Sequence, residues 1–369
     1  MILQLDLTDE QVMLGEMLER LVMERCASET RLANLHASPP RRLELWGELC
    51  ELGVPAALLP SEAGGFGGTA KDIAVVQYAL APGLLVEPLL ISVAICGAIL
   101  HEAGRPTDGI LSGETIYALA HQEGFDAFAP PRLKYEQSDT GFILNGAKPA
   151  VRHGDVAHRL IISAVDADGV VRLFDVAADA PGIGAIPGRL IDAAGSADFT
   201  FQDVTLDSDA ALPLDAPAAL ARAQVRILAA LAAEAASLAQ VTVRATAEYL
   251  NVRQQFGVAL SSFQALQHRI ADMLIAAEEM AAQARMATLL AETPDDAGQQ
   301  RPLLIASLAC DRGGQVVGHG AIQLHGGMGV SDETQISHYA RRLTAIRAQP
   351  GTSDARAARL TRLEGLFDA

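Results

Sequence analysis

Aromatic side chains make up only 4% of this 369-residue chain, and Trp46 is its single tryptophan. Half of the residues are nevertheless apolar, mostly Ala, Leu, Val and Ile, which excludes a disordered chain. Alanine and leucine favour helices, and small side chains allow helices to pack closely. Because a chain of this length usually forms more than one hydrophobic core, we expect a helix-rich protein of two or three domains.

Cysteine is also rare, and its spacing excludes the common cysteine-based scaffolds. The four cysteines lie far apart, and no CxxC pair occurs among Cys26, Cys50, Cys96 and Cys310. This spacing argues against a structural zinc site and against a disulfide framework. It favours free thiols in a reducing cytoplasm.

Basic residues are outnumbered, with 28 Lys and Arg against 45 Asp and Glu, which gives a net charge of −17. A phosphate-binding surface needs clustered basic residues, and the absence of such a cluster argues against nucleic acid as a partner. The N-terminus has no basic segment before an apolar run, as a secretory signal would have. No uninterrupted apolar run reaches the ~20 residues of a membrane span. The sequence predicts a soluble, cytoplasmic protein.

The sequence pattern changes twice along the chain and divides it into three regions. Helical periodicity dominates residues 1–112, where Thr8 is predicted to cap a first helix over 8–29. Short β-prone runs separated by Gly, Asp and Pro turns fill residues 113–212 and predict a small antiparallel β domain. Helical periodicity returns over 213–369, which predicts a bundle of four helices. The predicted fold is therefore α+β but mainly α.

The segment QLHGGMGV at 323–330 places three glycines within four positions of this helix-forming region. Such a run costs conformational entropy and needs a reason. One reason is a turn between two helices with a glycine C-cap. The other is a phosphate or nucleotide that approaches bare backbone N–H groups. Taken alone, the segment favours the turn between helices.

Two further motifs lie near this segment in the C-terminal half, RQQFG at 253–257 and FQALQHRIADM at 263–273. In their order and spacing, these motifs and QLHGGMGV resemble the C-terminal half of the acyl-CoA dehydrogenase family. The N-terminal half resembles the family more loosely, through LTDEQ at 7–11, LP followed by AGGFGG within 59–68, and NGAK at 145–148. With all the motifs in register, the resemblance favours a cofactor role for the glycine loop.

The resemblance implies an FAD-dependent enzyme that removes hydrogens from the α and β carbons of an acyl-CoA thioester. It implies three domains: an N-terminal helical domain, a middle antiparallel β barrel, and a C-terminal four-helix bundle that builds dimers or tetramers. Enzymes of this kind hold FAD between subunits and usually pass electrons to an electron-transferring flavoprotein. Lipid or steroid catabolism is the expected setting.

By the same resemblance, Arg253 pairs with the FAD pyrophosphate, Phe256 packs on the cofactor and Gln264 lies nearby. Gln323, Gly326 and Gly327 form the loop against the adenosine end. Thr352, which follows the segment AQPG, completes the expected cofactor-binding set. No metal site is expected.

The catalytic base of the family is missing from both of its usual positions. In many members it is a glutamate in a Tyr-Glu-Gly-Thr segment, where this chain has Pro350. In another branch it lies on the first bundle helix, where this chain has Ile227. Glu234 is the remaining carboxylate on that helix face, about two turns further along. It is a candidate base, and its alternatives are a structural hydrogen bond or an ion pair between helices.

The segments that surround the flavin ring in the family also differ here. Ala120 and Asp126 occupy the two hydroxyl positions of one segment, and AVR at 150–152 replaces a Trp-Ile-Thr segment. His121 and His153 fall in these loops, where solvent exposure is the usual state of isolated histidines. The residues expected to contact the FAD of a neighbouring subunit are thus present. The residues expected to contact the flavin ring within this subunit are replaced by others.

Three hypotheses remain open. The chain is an acyl-CoA dehydrogenase that uses Glu234 or an unrecognised base, or it is a non-catalytic partner that completes the FAD site of a paralogous subunit. Such pairs often act on bulky, ring-bearing acyl-CoA thioesters. A flavin oxidase or monooxygenase on the same scaffold is disfavoured, because no replacement acid stands at Pro350.

Overall fold

The computed structural model describes residues 2–26, 32–33, 43–293 and 297–363. The first helix, α1 (Asp9–Arg25), begins with a capping box. The Thr8 hydroxyl accepts from the Gln11 N–H at 3.3 Å, and the Gln11 side chain accepts from the Thr8 N–H at 3.1 Å. Each contact satisfies a backbone donor that would otherwise lack a partner at the helix start. The predicted cap is confirmed, but the helix ends at Arg25, and 27–31 lie outside the described residues.

Short helices follow in the N-terminal region. They are α2 (Trp46–Glu51), α3 (Val54–Ala57), α4 (Ala70–Leu80), α5 (Ala98–Glu102) and α6 (Asp108–Leu111). The segment Leu89–Gly97 has π-helical hydrogen bonding and runs directly into α5. It is almost wholly buried, which agrees with its mainly apolar sequence.

The middle of the chain forms a curled sheet. Its strands are β1 (Tyr117–Ala120), β2 (Lys134–Gln137), β3 (Gly141–Arg152), β4 (Arg159–Val165), β5 (Val171–Ala177), β6 (Ile183–Arg189) and β7 (Gly195–Asp207). The order is β1-β4-β2-β3-β7-β6, and β5 pairs with β4. Most pairs are antiparallel as predicted, but β1 and β2 each run parallel to β4. Alternating sequence predicts a strand without naming its partner, so these parallel pairs were not predictable.

Three aromatic rings anchor the core of the sheet. Tyr135, Phe142 and Phe174 meet edge to face, with ring centroids 5.2–5.8 Å apart. This is the geometry that ring quadrupoles prefer. The few aromatic residues of the chain are thus partly concentrated here, since the same core also contains Phe199 and Phe201.

The C-terminal region is helical. Its helices are α7 (Ala216–Val252), α8 (Gln264–Ala291), α9 (Gln300–His325), α10 (Gln335–Ala348) and α11 (Ser353–Leu363). A small hairpin of β8 (Gln254–Gln255) and β9 (Val258–Ala259) separates α7 from α8. By length and composition α7 could cross a membrane, contrary to the expectation above, but 78% of its apolar window is buried inside the protein. Most of this window is therefore packed against other parts of the protein.

The chain divides into two compact units. The first comprises Met1–Arg41, Ala74–Leu85 and Leu228–Ala369, and the second comprises Arg42–Ile73 and Val86–Ile227. Helix α7 contributes residues to both. The division into three domains at 112 and 212 stays a prediction.

Candidate cofactor and active site

The end of α7 leads into a tight, exposed hairpin that presents an arginine. The Arg253 N–H donates to the Tyr249 carbonyl at 2.9 Å, and the Leu260 N–H donates to the Arg253 carbonyl at 2.8 Å, which closes the hairpin. Phe256 and Gly257 form its two-residue turn with φ of 55° and 82°. Two positive φ values are typical of a type I′ turn, whose twist suits a two-residue hairpin. Phenylalanine is uncommon at such a φ, and Phe256 is also 90% exposed.

The predicted glycine loop follows α9 directly, and two of its glycines are explained by the fold. Gly326 has φ 61° and ψ −137°, a backbone conformation that only glycine adopts readily. At Gly329, a Cβ would lie 2.5 Å from the Ile322 carbonyl oxygen. At Gly327, by contrast, a Cβ would meet nothing within 4 Å. Gly326 and Gly327 are exposed, so a group from outside this chain has room to approach their backbone.

A stacked pair of rings brings the hairpin and the loop together. The Tyr249 and His325 rings lie 4.2 Å apart between centroids, with 22° between their planes. Tyr249 precedes the hairpin, and His325 directly precedes Gly326. Burial lowers the pKa of His325, which keeps its imidazole neutral. Sequence reasoning missed this contact, because nothing in the local pattern pairs these two positions.

The other predicted cofactor residues fall into two groups. Gln264 and Gln323 are exposed, as residues that serve a neighbouring subunit would be. Thr352 instead has a local role, since its hydroxyl accepts from the Ala355 N–H at 3.2 Å and its carbonyl accepts from the Arg356 N–H at 3.0 Å. It caps α11, and its contact with a cofactor stays a prediction.

None of the three candidate base positions presents a free carboxylate. Pro350 is buried beyond the end of α10, and Ile227 is buried on α7. Glu234 is buried too, and both of its carboxylate oxygens contact the Arg342 guanidinium at 2.5 Å. This two-point geometry is the strong form of an arginine–carboxylate pair. It matches the predicted alternative of an ion pair between helices, here α7 and α10.

The degraded flavin-ring segments have local structural roles. Ala120 is fully buried in β1. The Asp126 carboxylate accepts from the Phe128 N–H at 2.9 Å and so closes its own turn. Arg152 pairs with the buried Asp192 at 2.9 Å. These substitutions therefore leave no hydroxyl at the positions where the family supplies one.

A buried polar cluster lies beside these segments. The Lys148 ammonium, which is fully buried, contacts the Glu123 carboxylate at 2.5 Å, the Ser163 hydroxyl at 3.1 Å and the His121 carbonyl at 3.2 Å. Burial lowers the pKa of Lys148 to about 8. The NGAK motif marked this lysine, but its partners come from distant segments and could not be predicted.

The expectation that His121 and His153 face solvent was wrong. His121 is 7% exposed and lies 2.9 Å from the Ser163 hydroxyl, and burial lowers its pKa to about 4. His153 is 5% exposed, and its N–H donates to the Gly195 carbonyl at 2.9 Å. Both histidines are thus part of the packed β region.

Two family models match this sequence. The acyl-CoA dehydrogenase N-terminal domain matches residues 8–107, and the acyl-CoA dehydrogenase C-terminal domain matches residues 226–363. The chain belongs to the acyl-CoA dehydrogenase family. Members of this family are flavin-dependent oxidoreductases that act on CH–CH bonds, so the predicted family and reaction class are confirmed.

Known relatives extend over nearly the whole chain. Acyl-CoA dehydrogenase IpdE2 of Mycobacterium tuberculosis is 27% identical over 90% of this chain and 91% of its own length. The structure of the ChsE4–ChsE5 complex of Mycobacterium tuberculosis has a TM-score of 0.88 at 21% identity, and covers 98% of this chain and 99% of that one. The Tcur3481–Tcur3483 steroid ACAD has a TM-score of 0.86 at 27% identity, and covers 97% and 98%. The predicted fold is confirmed.

Proposed function

We propose that this chain is a subunit of a heteromeric acyl-CoA dehydrogenase, and that it completes the FAD site of a paralogous subunit that carries the catalytic base. This proposal rests mainly on the ion pair in which the Arg342 guanidinium donates to both carboxylate oxygens of Glu234. Because Pro350 and Ile227 have no acidic group, this pairing removes the last candidate base on the bundle helices from proton transfer.

The hairpin and the glycine loop support a cofactor-holding role. Arg253 is exposed, and a guanidinium matches the oxygens of a diphosphate with two parallel hydrogen bonds. The bare backbone at Gly327 lets a nucleotide approach without a steric clash. Both features fit the adenosine diphosphate half of FAD, while the residues near Ala120 and Asp126 do not offer the hydroxyls expected around its ring. When bound, FAD supplies the hydride acceptor for the reaction.

Exposed apolar side chains around these two segments support the presence of a neighbouring subunit. They are Val252, Phe256, Val258, Phe263, Met328 and Val330. An exposed phenylalanine in an unfavourable backbone conformation gains free energy when a partner or cofactor covers it. Assembly into a dimer or tetramer is therefore part of the proposal.

The alternative function is an acyl-CoA dehydrogenase that works without a paralogous subunit and uses Glu234 as its base. It would require the Glu234 carboxylate to leave the Arg342 guanidinium and so break a buried ion pair held by two contacts, which is costly. For this reason we favour the partner function.

The proposed substrate, electron acceptor and location are taken from the similar proteins. Two of the similar structures pair two different subunits, ChsE4 with ChsE5 and Tcur3481 with Tcur3483, and the second pair is a steroid ACAD. A bulky, ring-bearing acyl-CoA is accordingly the proposed substrate of the complex. An electron-transferring flavoprotein is the proposed electron acceptor, and the cytoplasm is the proposed location.

The test is to isolate the tagged chain from its native cells and measure flavin bound per complex. We expect a second subunit of the same family with an acidic residue at one of the two base positions. Arg253→Ala in this chain should lower the flavin content of the complex, because the guanidinium contributes charge-assisted hydrogen bonds worth roughly tenfold or more in affinity. Arg312→Ala is the matched control, since Arg312 is an exposed arginine of α9 with a weak contact to Glu279.

The proposal fails if Arg253→Ala and Arg312→Ala complexes hold as much flavin as the wild type. It also fails if the chain is isolated as a homo-oligomer that is active with an acyl-CoA.

A further inference from the structure

We infer that the Tyr249–His325 stack is a positioning device that makes the arginine hairpin and the glycine loop one rigid binding surface. The inference deepens the proposed function and rests on it for the identity of the ligand, the adenosine diphosphate half of FAD. Neither ring is assigned a contact with that ligand. Their role is to fix the relative positions of the two segments that contact it.

The tyrosine side of the stack is tied to the hairpin through the backbone. Tyr249 lies one helical turn before Arg253, and its carbonyl accepts the Arg253 N–H at 2.9 Å. The Arg253 N–H thus makes a helical hydrogen bond to the residue four positions earlier, directly before the hairpin begins. A shift of the Tyr249 ring moves this turn of α7 and with it the base of the hairpin.

The histidine side of the stack is fixed by its own helix. His325 Nδ1 lies 2.8 Å from the Ala321 carbonyl oxygen, and a carbonyl only accepts, so Nδ1 carries the proton and donates. The imidazole is buried and has its pKa lowered, so it stays neutral with this one tautomer. Its orientation is therefore set before it meets Tyr249.

Gly329 adds a third constraint on the histidine. A Cβ at Gly329 would lie 3.1 Å from the His325 Cβ and 2.9 Å from the Ile322 Cα. The glycine loop thus folds back closely over the end of α9. The His325 side chain thus meets the returning loop at its Cβ and the tyrosine at its ring, so its position affects both segments.

Two exposed segments that end two different helices would otherwise fray independently, because helix ends have unsatisfied backbone groups and few contacts. A stacked aromatic pair contributes beyond its buried area and has a preferred geometry. The stack therefore predicts a reciprocal coupling: loosening either ring loosens the opposite segment, although the two are far apart in sequence.

Amide hydrogen exchange on the purified full chain tests this coupling without any cofactor. His325→Leu should raise exchange in the hairpin at 253–260, and Tyr249→Leu should raise exchange in the loop at 323–330. Tyr249→Phe keeps the ring and should restore protection of the loop. His319→Leu, which changes an exposed histidine on the same helix, should leave the hairpin protected.

If each variant raises exchange only in its own segment, the stack is ordinary local packing and the inference is overturned. The ligand part is tested separately, by FAD titration of the complex that contains this chain. His325→Leu should raise the FAD dissociation constant about tenfold, while FMN, which lacks the adenosine monophosphate half, should bind as to the wild type. Equal losses for FAD and FMN would contradict the inference. Insensitivity of flavin content to Arg253→Ala would instead refute the proposed function.

Discussion

Removal of the Glu234 charge separates the structural role of this residue from a catalytic one. In Glu234→Gln, the side chain keeps its shape while the charge that pairs with the Arg342 guanidinium, 9% exposed, is removed. Breaking a buried pair by removing one partner typically costs about 3–5 kcal/mol. Since glutamine keeps one hydrogen-bond acceptor, we expect the lower end, about 3 kcal/mol. Glu234 and Arg342 lie in the first compact unit. For a unit of about 150–250 residues, a loss of this size should lower the melting temperature by roughly 6–12 °C.

A double-mutant cycle measures the pair itself. Glu234→Gln, Arg342→Gln and the double variant are compared by urea unfolding followed by circular dichroism. The double variant removes both charges of the pair, so it should recover much of the loss, with a coupling energy of about 2 kcal/mol. If Glu234→Gln unfolds within about 0.5 kcal/mol of the wild type and abolishes turnover of an acyl-CoA, Glu234 is the base and the structural explanation is wrong.

Three further outcomes follow from the geometry of single positions. Gly326→Ala should destabilise the chain by about 1–3 kcal/mol. Gly327→Ala should change the free energy of unfolding by no more than about 0.5 kcal/mol but should weaken flavin retention. Equal melting temperatures for the two variants would contradict this expectation. Phe256→Gly should stabilise the isolated chain by about 1 kcal/mol by relieving its positive φ, and a lower melting temperature would argue against strain there. Burial lowers the pKa of Lys148 to about 8 from 10.5, so the unfolded chain binds the extra proton between these values. Wild-type stability should therefore rise with pH across that window relative to Lys148→Met, and parallel profiles would contradict the buried charge.

The sequence predicted the elements that depend on local pattern. The Thr8 cap, the order of helices, strands and helices, and the glycine loop all follow from residues close together in the chain. The roles of Gly326 and Gly329 also agree with the expectation that this run of glycines needs a structural reason, while Gly327 needs one from outside the chain.

Long-range partners could not be predicted in the same way. Arg342 is a polar position on its own amphipathic helix, and nothing nearby indicates that it reaches Glu234. Lys148 was marked by its motif, yet its burial depends on Glu123 and Ser163 from other segments. The parallel pairing of β1 with β4 depends likewise on chain topology rather than on the composition of either strand.

The most direct test of the central claim is the visible absorbance spectrum of the chain purified alone, followed by anaerobic addition of an acyl-CoA. The proposed function predicts a folded protein without stoichiometric flavin bands, which acquires flavin only together with its paralogous subunit. Stoichiometric flavin that the acyl-CoA bleaches in the wild type, but not in Glu234→Gln, would contradict the claim and identify a self-sufficient dehydrogenase.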